Sequence, residues 1–442
     1  MRSAGALAAT AGVGLSALNQ QAEAQAEAEP FRFGLIGCGG QGRHVLMSAA
    51  LRVPGATFTA VCDVREDFVQ EALKRGGEGC KAFRDYTEML DQAADDMDAV
   101  IIATPLFLHS RMTVDALKAG LHVFCEKTMA YDLEQCRAML AARREAGKVL
   151  QIGHHLRYHP LYHHAKRTFI DKGLLGDITT INAHWNRNGS WRRPSLPDSA
   201  AVTPELLQKW GYENPDQLAN WRLYKQLSGG LMTELASHQT DVVNWFLDSV
   251  PIAATGVGGI DHYKDGRTVY DNVHCTFEYP NGVKFAYESL TTNSFSVFGE
   301  QMEMFQGTKG TLVMSNVPRA RGWFFLEPGA LKELWMDAAD KTQVGDWEPW
   351  KNRREAIVLD ATVTPGPPLA GIPIGELITK EGQLKKATYE IEMLEFVEAV
   401  RTNKVPRCDG EVGIRSAVPA IIGNQAMEQR TRVELPADAF QY

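Results

Sequence analysis

The chain is 442 residues long, 44% hydrophobic and 23% charged, an ordinary globular composition that excludes collagen, a coiled coil or wholesale disorder. Its 46 basic and 54 acidic residues leave a net charge of −8, which gives no electrostatic footprint for nucleic acid. No apolar run is long enough for a confident membrane span, and the seven cysteines form no CxxC pair, so they read as buried free thiols.

Residues 1–29 differ from the rest. Ala4 to Leu18 is uncharged and rich in alanine and glycine, and Ala22-Glu23-Ala24, Ala24-Gln25-Ala26 and Ala26-Glu27-Ala28 fit the small-x-small cleavage rule. The segment reads as an export signal. The run Arg2-Ser3-Ala4-Gly5-Ala6-Leu7 resembles the part of a twin-arginine signal that follows the arginines, which would put the true start upstream and the protein in the periplasm. A disordered tail on a cytoplasmic protein is the alternative.

Phe31 to Ile36 is a short apolar strand, followed at once by Gly37-Cys38-Gly39-Gly40-Gln41-Gly42 and a helix from Arg43 to Leu51. A second strand, Ala56 to Cys62, ends at Asp63. Strand, G-x-G-x-x-G, helix, strand and acid in this order are the dinucleotide fingerprint. Gly37 allows the tight turn, Gly39 lets the backbone approach a pyrophosphate, and Gly42 lets the helix pack close to the sheet. Gly40 and Gln41 complete the loop at a helix N-terminus, whose free N–H groups suit phosphate. Asp63 can bind both ribose hydroxyls and repels a 2′-phosphate, so NAD is favoured over NADP, with Arg65 speaking for NADP.

The βα alternation continues with helices Phe68 to Arg75 and Tyr86 to Gln92, then the apolar strand Asp98 to Ala103. Thr104, Pro105 and His109 follow that strand and are expected on the nicotinamide side of the cleft. The helix Arg111 to Ala119 and the strand Leu121 to Cys125 deliver Glu126-Lys127-Thr128.

With Gly37-x-Gly39-x-x-Gly42, Ala103-Thr104-Pro105-x-x-x-His109 and Glu126-Lys127-Thr128 in order, the sequence resembles the Gfo/Idh/MocA family of sugar and cyclitol oxidoreductases. The family has Glu-Lys-Pro where this chain has Thr128. The resemblance continues through Gln151-Ile152-Gly153, Arg157-Tyr158-x-Pro160, Gly173-x-x-Gly176-x-Ile178, Trp221-Arg222 and Gly229-Gly230-x-x-x-Glu234-x-x-x-His238-x-x-Asp241. The family's usual acid is Asp at the place of Glu234. The resemblance covers about residues 31–315 and returns at Met393 to Met427. It implies an NAD(P)-dependent enzyme that takes hydride from a sugar, polyol or glycoside hydroxyl. It also places Glu126, Lys127 and Arg157 at the cofactor and Tyr158 at the substrate. It implies a homo-oligomer, dimer or tetramer, through the open face of a C-terminal sheet, and no metal.

Leu231 to Leu247 has helical periodicity, with Leu231, Leu235, Val242 and Phe246 on one face. Glu234 and His238 are neighbours on that helix, and Asp241 can orient the imidazole. His238 would act as general base, Lys127 would stabilise a developing alkoxide, and Glu234 and Asp241 would tune or position the histidine. His155, His159 and His163 recur at helical spacing, but an amphipathic helix explains them better than a metal. Trp185, Asn186, Trp191 and Arg192, with Trp221, Arg222 and Tyr224, offer apolar faces and donors suited to sugar rings.

Alternating runs follow: Ala253 to Ile260, Val273 to Tyr279, Val283 to Thr291, Glu300 to Gln306 and Gly310 to Met314. With the Asn281-Gly282 turn they predict a mainly antiparallel sheet. The expected fold is α/β: a doubly wound parallel Rossmann sheet at 30–150, then an α+β substrate and oligomerisation domain at 151–385. Helices at 386–442 pack back on the core. The segment 318–385 matches nothing in the family and reads as an insert that caps the site or packs on a neighbour.

An exported enzyme meets little free NAD, which suggests a tightly held cofactor recycled within each turnover. That brings in a second reading, an NAD-dependent glycosidase working by transient C3 oxidation, elimination, hydration and re-reduction. A dismutating oxidoreductase is related to it, and a non-catalytic NAD-binding regulator is the rival from another class.

Overall fold

In the computed structural model, residues 29–317, 320–327, 343–344, 356–360 and 384–442 are described. The expected export signal, except Glu29, and much of the insert, including Trp335, Trp347, Trp350 and Pro365 to Pro368, lie outside them.

The first sheet is parallel and six-stranded, in the order β3-β2-β1-β4-β5-β6. Its strands are β1 (Phe31–Ile36), β2 (Ala56–Cys62), β3 (Lys81–Phe83), β4 (Ala99–Ile102), β5 (His122–Glu126) and β6 (Leu150–Gly153). All four residues of β4 are buried, as helices on both faces require. The strand order reverses between β1 and β4, so the crevice at their carboxyl ends opens there. The Gly37 to Gly42 loop follows β1 and Thr104 follows β4, which puts both at that crevice.

The second sheet has ten strands and is antiparallel except where β10 runs parallel to β7. Its central strands are β7 (Ile178–Trp185), β8 (Ala253–Gly259), β9 (Asn272–Glu278), β10 (Lys284–Leu290), β11 (Gln301–Gly307) and β12 (Gly310–Val317). Three strands come from the insert, β13 (Arg321–Leu326), β14 (Gln343–Val344) and β15 (Ala356–Asp360); β14 and β16 (Val433–Glu434) are two-residue edges. The described parts of the insert therefore extend the sheet beyond β12. That places Trp323, Phe324 and Phe325 in the sheet, as β13 residues.

The helix Ser237–Leu247 packs beneath this sheet, entered through a π-helical turn at Met232–Ala236. The helix Gly410–Gln429 packs on both domains; a Cβ on Gly413 would lie 2.4 Å from the Ile152 side chain, so glycine permits the approach. The helix Leu384–Thr402 returns to the first domain, where Phe396 packs against Phe33 and Phe124. The helical histidine spacing does not persist. His155 lies in a 3-10 turn (His155–Tyr158), and His159 caps a new helix, Pro160–Ala165, its ring accepting the Leu161 N–H. Pro160 forces that break, so the three histidines share no face.

Candidate active site

The cofactor crevice is built by close approach. Gly37 has φ +95, and a Cβ there would stand 2.6 Å from the Ala103 backbone. A Cβ on Gly42 would meet the Gly37 carbonyl at 1.9 Å, whereas Gly40 faces open space. The Asp63 carboxylate accepts from Cys38 N (2.7 Å) and Arg65 N (2.9 Å), which fixes it at the end of β2 with lone pairs to spare. Burial pushes its carboxyl up to about 6, so it is ionised at neutral pH. Arg65 is turned aside: it is paired with Asp67 and lies 3.6 Å over the Phe68 ring. Thr104 Oγ1 is buried with no partner. An open glycine backbone, a carboxylate at the strand end and an orphan hydroxyl fit a dinucleotide.

Gln41 Nε2 donates to Glu126 Oε1 (2.7 Å), tying the glycine loop to the end of β5. The peptide bond Lys127-Thr128 is cis. Lys127 Nζ then crosses between domains, donating to Glu234 O (3.0 Å) and Thr233 O (3.4 Å), while Thr128 Oγ1 donates to Thr233 O (2.9 Å). An ammonium has three N–H donors, so one remains for a substrate oxygen. Burial pulls the Lys127 pKa down against the pull of Glu234 and Glu126.

Burial alone would raise the Glu234 carboxyl, but Arg222 and Lys127 outweigh it and hold it below its usual range. Arg222 Nε donates to it at 2.7 Å and sits 4.1 Å over Trp221. His238 is 7% exposed, and its Nδ1 has no hydrogen-bond partner. Its ring lies 5.1 Å from Trp185 and 5.0 Å from His155. Burial, then Lys127, His155, His154 and Arg187, hold its pKa well below the ordinary histidine value. A neutral imidazole beside an ammonium can remove a proton from an alcohol while the cation holds its oxygen.

Thus Lys127, Glu234, His238, Trp185, Trp221 and Arg222 come together, joined by Arg187, which stacks on Trp185 and Trp191. Other expected residues do different work. Asp241 does not orient His238, because its oxygens take Arg157 Nε (2.9 and 3.0 Å) and the Ser416 hydroxyl. Arg157 is correspondingly turned to that buried pair and not toward the glycine loop. His109 is 2% exposed, with its two nitrogens against Thr104 O and Thr128 O (both 2.9 Å), so it pins two cleft turns instead of facing the cofactor. Tyr158 is 1% exposed and packs in the core. Asn186 joins β7 to β10 through Glu288 and Leu290 N. Arg192 is held by Asp216 and Asp265, and Tyr224 by Asp216. Three contributors went unread in the sequence: Arg187, on the loop after β7, His155, visible only as one of a histidine run, and Tyr389, which follows the insert.

Both domains of the chain match known proteins. Residues 31–154 match the Gfo/Idh/MocA profile described as an oxidoreductase family with an NAD-binding Rossmann fold, and residues 163–313 match the profile of its C-terminal domain. A 1,5-anhydro-D-fructose reductase of Ensifer adhaerens is 28% identical over 288 residues, 65% of this chain and 76% of that protein. A 2,7-anhydro-N-acetylneuraminate hydratase of Escherichia coli is 30% identical over 218 residues, 49% and 51% of the two. The structure of levoglucosan dehydrogenase with NADH and levoglucosan superposes with a TM-score of 0.70 at 20% identity, covering 92% of this chain and all of that one, a likeness of fold.

Proposed function

The chain belongs to the Gfo/Idh/MocA oxidoreductase family, and from that premise we propose that it oxidises a hydroxyl of a sugar, polyol or glycoside with NAD. The observation that carries the reading is the meeting of Lys127 from the first domain with Glu234 and His238 from the second, beside a cleft fit for a dinucleotide. NAD supplies the hydride acceptor when bound. His238 removes the hydroxyl proton, and the third N–H of Lys127 holds the oxygen as its C–O bond becomes a carbonyl. Glu234, ionised between Arg222 and Lys127, balances the ammonium. Trp185 and Trp221 offer faces for the sugar ring. Asp63 favours NAD over NADP, since Arg65 is already occupied by Asp67 and Phe68.

The hydratase among the relatives favours a second, redox-neutral reading. Oxidation at C3 of a glycoside acidifies the neighbouring C–H, the aglycone leaves by elimination, water adds and the ketone is reduced back. A tightly held NAD and export of the protein fit that reading, the latter supported by the composition of residues 1–29. Among the described residues no helix is long and apolar enough to cross a membrane. A homo-oligomer would use the outer face of the second sheet. There a depression of about 750 Å³ lined by Asn182, His274 and Arg432 lies on the side away from His238.

The test is a panel of free sugars and aryl glycosides, with and without added NAD, following aglycone and reduced nicotinamide together. Reduced nicotinamide that accumulates only with added NAD establishes the dehydrogenase. Aglycone released over many turnovers with no net reduction establishes the glycosidase. Neither signal across the panel contradicts both and points to the regulator.

A further inference from the structure

General-base catalysis by a histidine needs the ring held in one orientation, usually by an acid bonded to its second nitrogen. Among the described residues no acid is bonded to the second nitrogen of His238. Asp241 is committed to Arg157 and Ser416, and His238 Nδ1 is buried with no partner. What does touch the ring is aromatic. His155 meets it edge to face, centroids 5.0 Å apart at 73°, and Trp185 lies on another side at 5.1 Å and 54°. His155 is itself stacked on Tyr389 at 4.8 Å and 21°. All three of His155, His238 and Tyr389 are at most 8% exposed, so the row has no room to swing.

We propose that His155, backed by Tyr389, is the positioning residue of His238, taking the place an acid holds in the common base–acid pair. The proposal rests on the reading of His238 as the base. An aromatic edge holds a ring by shape and by its quadrupole without adding charge. It therefore fixes orientation while leaving the imidazole neutral, whereas a carboxylate would raise its proton affinity. A base beside the Lys127 ammonium benefits from both. Tyr389 also joins the row to the cofactor crevice: Glu126 and Gln41, which bond each other, lie against its phenol. The helix after the insert thus supplies the back wall of the base, and the glycine loop braces that wall.

The charged and titratable groups that act on His238 are Lys127 after β5, His154 and His155 after β6 and Arg187 after β7. A change in its titration on altering His155 must be read against that fixed set.

Three variants test the proposal in the full chain. His155→Phe keeps the ring edge and the stack on Tyr389, His155→Ala removes both, and Tyr389→Leu removes the backing together with the phenol beside Glu126 and Gln41. The first readout needs no substrate: nitrogen-15 spectra of labelled histidines from about pH 6 to 8, with the His238 signals identified by their loss in His238→Gln. The expected wild-type result is one neutral ring form throughout, retained in His155→Phe. In His155→Ala and Tyr389→Leu the ring signals broaden or double and protonation moves up into that range. The second readout is steady-state rate with the sugar found by the panel. His155→Ala is expected to lower kcat about 100-fold with KM and NAD affinity little changed, since a base displaced by about an ångström costs that much. His155→Phe should recover most of the loss. Unchanged His238 signals in both His155→Ala and Tyr389→Leu would overturn the proposal, as would failure of the Phe variant to rescue kcat. Normal ring behaviour paired with a missing sugar activity would instead count against the functional reading.

Discussion

Lys127 is a half-buried charge at the end of β5 and Asp241 a fully buried one on the helix Ser237–Leu247, and their bonds assign them opposite work. Lys127 spends two N–H donors on backbone carbonyls and keeps one, so Lys127→Met should lower kcat about 100- to 1,000-fold while NAD still binds, as steady-state rates beside calorimetry would show. Asp241 spends its oxygens on Arg157 and Ser416, so Asp241→Asn should strand a buried guanidinium and cost about 3–5 kcal/mol of stability in urea unfolding. If Asp241→Asn unfolds like wild type and loses only kcat, the assignment of Asp241 to structure is wrong. Asp63→Asn removes a charge from the ribose site and should weaken NAD about tenfold or more by calorimetry. At this scale the sequence displayed Lys127, Glu234 and His238 by spacing on a strand end and a helix. It misplaced Asp241, because three residues along a helix bring a carboxylate near a histidine but do not decide which partner wins. Arg157 and Ser416 arrive from distant segments, and no local pattern announces them.

Elements built on period and turn chemistry were legible almost to the residue. The strand read as Ala56 to Cys62 is β2 itself, and the run Val273 to Tyr279 is β9 displaced by one. The strands β13 and β15 were not, since they pair with each other across a long stretch of the insert. The histidine run failed for a different reason: Pro160 starts a new helix, and His159 becomes its cap. That cap carries a pH prediction. Burial pushes His159 down to about 3, from an unperturbed 6.5. Its folded pKa is depressed, so the unfolded chain binds the extra proton between those values. Its contribution is whole above pH 6.5 and is lost as the pH falls. Glu303 and Glu395, pushed up to about 7 by burial, act in the opposite sense over part of the same window. Comparing variants cancels them. His159→Asn keeps a capping acceptor without the titration, so between pH 7 and 5 it should lose about 2 kcal/mol less stability than wild type. Equal losses in urea unfolding at the two pH values would remove His159 from the acid response.

Across the whole molecule, the chain crosses between its two domains more than once, and each crossing brings a part of the site. The first domain supplies the crevice and Lys127, and the second supplies Glu234, His238 and the tryptophans. The helix Leu384–Thr402 then returns to bury Phe396 in the Rossmann core and set Tyr389 behind the base. Neither domain holds a complete site, so the chemistry depends on both together. The fold class was readable at this scale because the glycine fingerprint and the alternating strands are local signals. The return of the last helices was expected as packing on the core, but the docking of Phe396 against Phe33 and Phe124 is a long-range choice that no local pattern carries. The central claim is that a carbon-bound hydrogen of a sugar passes to nicotinamide at this site, whichever overall reaction follows. The most direct measurement incubates the full chain with NAD and ring-deuterated sugars and glycosides, then isolates the nucleotide and reads its mass. Reduced nicotinamide carrying one deuterium, formed by wild type and not by Lys127→Met, is the predicted result. A nucleotide that binds but never acquires deuterium from any of them would contradict it.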